Sequence, residues 1–390
     1  MRLFVACWAL LLLSLPALGE PGFWDQPRRG ANGFLTHPTE EWFAQAHQAG
    51  LEWVRLSPAN WPAAERDFLV GDADHYQGIP KADLALLKEV LGWAEQHHVK
   101  VVLTQLTLPG ARYRQHNGNR YDDRIWQDAE FRRQAAAFWR DLARELHGNP
   151  AIVAYNLLNE PAPELGTGLP EYGTTPDDQR HWYAQHRGTG RDLPAFYNQV
   201  IAAIREVDPD TPIMLDAGWY SQPMAFTAWP SFEDDNLLYD FHSYEPSEFV
   251  SRLNFREHRG YVYPGRIPYA GREMQWDKAT LRGHLQPFFD WAKQRSIPTS
   301  RLVAGEFGCF RRNPGCAQYL ADSIDIFEEH GIHWAFYGFR EDGWEGMDYE
   351  VGPGPLGPGY WEAVEAGQRP PLERGPNPLW NAIQARLPRR

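Results

Sequence analysis

The chain has 390 residues and carries 38 Lys and Arg against 51 Asp and Glu, a formal net charge of −13. That length can bury a large core without disulfides or metal, and the acidity argues against nucleic acid or an anionic membrane as partner. Aromatic residues make up 14% of the chain, with 17 Trp, enough for core packing and for stacking surfaces toward flat, apolar-faced ligands.

The first segment reads MRLFVACWALLLLSLPALGE. One arginine, an apolar run from Leu3 to Leu13 and a small-residue exit at Ala17-Leu18-Gly19 are the pattern of a secretory signal peptide. Cleavage is expected near Gly19, leaving 20–390 as one catalytic domain. No second apolar run approaches the ~20 residues of a membrane span, so the expected product is a secreted or periplasmic monomer without a membrane partner.

Beyond the leader, short apolar runs alternate with helical patterns. Strands are expected at 31–35, 52–57, 99–106, 151–159, 212–217, 236–243, 301–307 and 332–339. Amphipathic helices are expected at 81–97, 128–147, 192–207, 277–295, 316–330 and 378–387. In 128–147, Phe131, Ala135, Phe138, Leu142 and Leu146 recur at helical spacing. Asp208-Pro209-Asp210 and Gly331 are stop signals. Eight strands in this alternation predict an α/β chain folded as a single (β/α)8 TIM barrel, with a doubly wound open sheet as the alternative. The strand-to-helix joins are long (57–80, 107–127, 160–191, 244–276 and 340–377). The returns at 97–99, 147–150 and 330–332 are short. Long loops at the C-terminal face of the strands mark the face that carries a site.

Cys7 leaves with the leader. Cys309 and Cys316 flank an Asn-Pro-Gly turn in GEFGCFRRNPGC. In an exported chain this predicts a local disulfide, with a pair of buried free thiols as the alternative. Such a bridge would shape a loop rather than hold the fold.

Two strands end in glutamate: the fourth in Asn159-Glu160 and the seventh in Glu306. In a barrel these strands lie on opposite sides of the centre, so the two carboxyls would face each other. Such a pair can run glycoside hydrolysis, one protonating the leaving oxygen and the other attacking the anomeric carbon. A lone strand-end glutamate more often caps a helix or makes an ion pair; the pairing of two, one preceded by asparagine, favours chemistry.

YNLLNEP, DFHSY, VAGEFG and VRLSPANW resemble glycoside hydrolase family 5, the cellulase-like clan of (β/α)8 retaining glycosidases, from about Asn32 to Glu350. The resemblance implies Glu160 as acid/base and Glu306 as nucleophile. It also implies Asn159 as the amide for the sugar 2-OH, Arg55 as the cation that keeps the nucleophile ionised, and His242 and Tyr244 as supporting groups. The chain departs from the family pattern at Thr104 and Leu106, where many relatives carry aspartate and histidine. It departs again at Tyr337, near the place of the tryptophan that floors the −1 subsite. Trp334 and Phe339 are the other aromatics close enough to serve. These departures bear on the substrate, not the reaction class.

Loop tryptophans Trp61, Trp126, Trp182, Trp219, Trp276 and Trp344 are candidates for sugar stacking, two or three of them lining the cleft. The acidic stretch REDGWEGMDYE would bond sugar hydroxyls or remain a solvated loop. No metal-ligand spacing or phosphate cradle is found, so no metal or other cofactor is expected. The expected activity is hydrolysis of a β-glucan, β-1,4-linked, by double displacement. β-Mannan, mixed-linkage glucan or an exopolysaccharide remain alternatives on the same barrel, and the 244–276 insertion could restrict the cleft to exo action. A non-catalytic carbohydrate-binding barrel is the rival from another class.

Overall fold

A computed structural model describes residues 22–366, 368 and 370–389; the expected leader lies outside them. Eight parallel strands close into a barrel in chain order. They are Arg29–Gly33, Trp53–Leu56, Lys100–Thr104, Ile152–Asn156, Ile213–Asp216, Leu237–Ser243, Leu302–Phe307 and His333–Phe336. The last returns to the first, pairing Trp334 with Arg29 and Phe336 with Ala31. This is the (β/α)8 architecture, and the open-sheet alternative falls with the closing pair. Several expected strands ran further than the ladder does. The apolar run 151–159 is regular strand only as far as Asn156; Leu157 N and Asn159 N still donate to Met214 O and Gln105 O of the neighbouring chain segments as the backbone leaves the ladder at the rim.

Successive strand residues face alternately into the barrel and out toward the helices. The inner face begins apolar. Trp53, Val102, Ala154, Met214, Leu238, Val303 and Ala335 form one cluster, sealed from below by Trp24, whose indole donates to Val153 O at 2.8 Å. Two residues further along, the same face changes character: Asn32, Arg55, Thr104, Asn156, Asp216 and Asp240 are all fully buried. The barrel is thus a greasy plug with a polar layer above it, and that layer supports the site. The outward faces pack under the helices in the larger core.

The six expected helices are present, with Ala129–Leu146 capped by Asp128 and Cys316–His330 closed by Gly331 at φ 65°. Glu40–Ala49, capped by Thr39, completes the first β/α unit and was not among the expected elements. Two long loops carry structure of their own. Residues 160–191 contain the helix Pro176–His186, and 244–276 contain the hairpin Gly265–Tyr269 with Arg272–Trp276. The hairpin escapes sequence reading because only Ile267 and Trp276 of its ten residues are buried. The Cys309–Cys316 disulfide is formed. Among the described residues, no helix is long and apolar enough to cross a membrane.

Candidate active site

Arg55 lies one residue before the end of the second strand with its guanidinium wholly out of water. A charge so placed requires partners on every side. Nη1 donates to Glu306 Oε1 at 2.6 Å and to Asn32 Oδ1 at 3.3 Å. Nη2 donates to Asn159 Oδ1 at 2.8 Å, Asn156 Oδ1 at 2.7 Å and Asp216 Oδ2 at 3.2 Å. Asp240 Oδ2 lies 3.7 Å from Nε. Six side chains from the first, fourth, fifth, sixth and seventh strands and their ends are thereby tied to one cation. The other oxygen of Glu306 accepts the Tyr244 hydroxyl at 2.9 Å. Burial pushes the Glu306 carboxyl above its ordinary value and Glu160 adds to this, while His242, Arg55 and the Tyr244 hydroxyl pull it down.

Glu160 stands four residues past the fourth strand in a left-handed conformation, φ 49°. Its backbone N–H donates to Asp216 Oδ2 at 3.0 Å, and Oε1 lies 2.8 Å from His242 Nδ1. The opposite ring nitrogen of His242 faces Asp216 at 3.6 Å and Asp240 at 3.7 Å. Burial works against a charged imidazole, but Glu306, Asp240, Glu160 and Asp216 together outweigh it and raise its pKa well above the usual value. Asp216 is pushed up to about 7, first by burial and then by Asp240 opposite it, against the pull of Arg55 and His242. The carboxylate oxygens of Glu160 and Glu306 and the His242 nitrogen all lie within 4.8 Å of one another.

That trio, whose members come from three different strands or their ends, and Asp216 with Asp240 and His242 of the sixth strand, bring ligand-type atoms together that no metal-ligand spacing in the sequence announced. Arg55 already touches Glu306 and Asp216 and lies close to Asp240. Its fixed charge beside both groups would repel a bound cation.

Beside Glu160 opens a groove of about 330 Å³, walled by Leu106, Tyr113, Tyr121, Trp126, Pro161 and Tyr220. Of the expected stacking tryptophans only Trp126 reaches it. Trp61 packs on Phe68, Trp182 stacks on His186, and Trp276 packs on Tyr269 and His284. Trp219 is buried in its own turn. Trp61 and Trp276 belong to the main hydrophobic core, and Trp182 and Trp219 are buried within their own loops. Trp344 is half-buried and neighbours Tyr337 at 6.3 Å. Trp334 does not reach the site: it lies in the outward layer and donates to Glu328 Oε1 at 3.1 Å. Phe339 likewise packs on Trp42 and Trp380. Tyr337 remains at the rim, its ring edge-on to Phe34 and its hydroxyl donating to Glu341 Oε2 at 3.2 Å.

Sequence reading missed Asn156, Asp216, Asp240, Tyr113, Tyr121 and Tyr220; Glu341 lies in the acidic stretch REDGWEGMDYE that it marked. The two aspartates left a signal: each is a lone charge inside an apolar strand, in PIMLDA and NLLYDFHS. A charge there is stable only if paired. The tyrosines left none, since loop aromatics carry no periodicity.

The model for the cellulase family, glycosyl hydrolase family 5, matches residues 22–343. The chain belongs to that family. It is therefore a glycoside hydrolase, as the motifs around Asn159-Glu160 and Glu306 imply. Endoglucanase C of Acetivibrio thermocellus is 23% identical over 341 residues, which cover 82% of this chain and 87% of the relative. A probable glucan 1,3-beta-glucosidase A of Aspergillus fumigatus is 27% identical over 212 residues, 54% of this chain and 43% of the relative. Among solved structures, a hyperthermophilic endo-beta-1,4-glucanase in complex with substrate superposes with a TM-score of 0.63 at 17% identity, covering 92% of this chain and 97% of the other. A Pseudomonas stutzeri endoglucanase gives 0.62 at 18% identity, covering 93% and 94%.

Proposed function

We propose that this family 5 hydrolase is an exported endo-β-1,4-glucanase that works by double displacement with retention, Glu306 as nucleophile and Glu160 as acid/base. One observation carries the reading: a carboxylate oxygen of Glu160 and one of Glu306 lie within 4.8 Å of each other. Retaining pairs stand ~5–5.5 Å apart, whereas inverting pairs leave ~6.5–9.5 Å for a water.

Glu306 attacks the anomeric carbon while Glu160 gives its proton to the glycosidic oxygen, which departs with the leaving sugar. Glu160, now a carboxylate, takes a proton from water, and that water displaces Glu306 from the same carbon. Arg55 and Tyr244 donate to the two different oxygens of Glu306. Both bonds favour its charged form and fix its aim. His242 holds Oε1 of Glu160, so Oε2 is the oxygen presented to the substrate. Asn159, with Oδ1 anchored on Arg55, presents its amide N–H groups to the sugar 2-OH, a bond that strengthens in the transition state. Tyr337 floors the subsite that holds the reacting sugar. The names of the relatives favour a β-glucan, and the leader favours export, which would leave a mature chain starting near Glu20.

The test is hydrolysis of carboxymethylcellulose, mixed-linkage glucan, xyloglucan and mannan by the purified mature protein, with Glu306→Gln as control. Shortening of carboxymethylcellulose that the variant lacks is expected. Activity confined to mannan would overturn the glucan assignment, and equal activity of the variant would overturn the mechanism.

A further inference from the structure

The loop that carries Glu160 holds a second glutamate that the reaction does not use. Glu164 is only 3% exposed; Arg191 is the cation that faces it. Its carboxylate accepts the backbone N–H of Trp219 at 2.9 Å. It also fills the space that residue 218 leaves by being glycine, since a Cβ there would lie 1.8 Å from Glu164 Oε1.

The backbone just after Gly218 is unusual. Trp219, Tyr220 and Ser221 take φ of 43°, 61° and 61° in succession. Left-handed non-glycine residues are uncommon singly and persist only where their surroundings over-determine them. Here the surroundings can be named. Glu164 holds Trp219 N, Pro161 O accepts from Tyr220 N at 3.1 Å, and Ser221 Oγ donates to Asp240 O at 2.6 Å. Two of the three holds come from the loop of Glu160 itself. The outcome is the placement of Tyr220 in the groove, its hydroxyl 2.5 Å from that of Tyr121. The two tyrosines join the loop after the third strand to the loop after the fifth, across the loop between them.

We propose that Glu164 is a positioning residue for specificity: by clamping the Gly218–Ser221 turn it holds the Tyr220–Tyr121 pair as the wall of a subsite for the leaving sugar. This rests on Glu160 being the acid. A departing sugar must lie where the acid opens outward, and the groove is lined by Glu160 and not by Glu306. Its occupant is a pyranose unit of the glycan on the leaving side, with C–H faces for the tyrosine rings and hydroxyls for their polar edges.

The experiment compares kcat/KM on cellotetraose with kcat/KM on p-nitrophenyl β-cellobioside, or on the corresponding manno pair if that is the series the wild type cleaves. Glu164→Ala is expected to lower the tetraose-to-aryl ratio at least tenfold, because only the tetraose needs the leaving-sugar wall. Tyr220→Ala should lower it similarly, and the double variant no further, since both act on one contact. Glu164→Gln keeps an acceptor for Trp219 N and should restore the ratio to within threefold. If Glu164→Ala does not fold, Glu164→Asp, one methylene too short to reach, carries the same expectation. A crystal structure of the folded variant should show the Tyr121–Tyr220 contact broken. An unchanged ratio, a fall that glutamine does not rescue, or an intact tyrosine contact would overturn the proposal. A Glu160→Ala enzyme that azide fails to rescue on the aryl substrate would instead strike the acid/base assignment beneath it.

Discussion

The two carboxylates of the cleft are held in opposite ways. Glu306 lies inside the barrel ladder, paired with His242 of the neighbouring strand, with 5% of its side chain exposed and both oxygens bonded. Glu160 lies beyond its ladder at φ 49°, with 31% of its side chain exposed and its walls made by loops. The contrast suits the two tasks. A nucleophile must be aimed and kept charged, which a rigid buried network does well. An acid/base must release and regain a proton within each turnover, so it needs access to water and to a changing partner.

Removing the buried member should have the largest effect. Glu306→Gln is expected to lower turnover by about 10⁴-fold or more on every substrate, measured by reducing-sugar release and by aryl-glycoside hydrolysis alike. Glu160→Ala should depend on the leaving group. A loss of about 10²–10⁴-fold is expected on unmodified oligosaccharides and a much smaller one on nitrophenyl glycosides, with azide restoring the second step. Equal, unrescued losses in both variants would erase the distinction between the two sides.

The network itself can be broken from below. Arg55→Met leaves Glu306, Asp216 and Asp240 without their shared cation, and stranding buried charge costs roughly 3–5 kcal/mol. Urea unfolding should show that loss, whereas Arg66→Met should cost far less because the Arg66–Asp74 ion pair is exposed on both sides.

A smaller effect separates the nucleophile's side by pH. Glu341 is buried with, among the described residues, the Tyr337 hydroxyl and the Phe34 N–H as its hydrogen-bond partners, and burial pushes its carboxyl up to about 8. Its ordinary unfolded value is ~4.3. The folded state therefore binds the proton more tightly, and the stability Glu341 contributes is complete below that value and is lost as pH rises toward 8. Between about pH 5 and 8.5 the Tm of the wild type should fall more than that of Glu341→Gln. Asp216 and Glu164 also titrate upward but are common to both proteins, so the difference reports Glu341. Parallel curves would show that its carboxyl is not held neutral.

The same contrast explains what could be read from the sequence. The barrel was legible because its strands are short apolar runs in regular alternation with helices, and the strand-end motifs placed Glu160, Asn159, Glu306, Arg55, His242 and Tyr244 around one centre, where the structure brings them together. Asp216 and Asp240 were hidden by their setting, although an unexplained charge in a buried strand is itself a sign of a partner. The groove was not legible. Its walls depend on how the loops 107–127 and 160–191 and the turn at Gly218 fold against one another, and each tertiary contact there overrides any local pattern. That is why Trp61, Trp182, Trp219 and Trp276 were buried away from the groove while Tyr113, Tyr121 and Tyr220 reached it.

The central claim is that the buried carboxylate, not the half-exposed one, forms the bond to sugar. Its most direct test is trapping with a 2-deoxy-2-fluoro β-cellobioside bearing a dinitrophenolate leaving group, followed by peptide mapping of the labelled protein. The predicted result is one glycosyl adduct on the peptide containing Glu306. An adduct on the peptide containing Glu160 would contradict the account, as would turnover with inversion and no adduct at all.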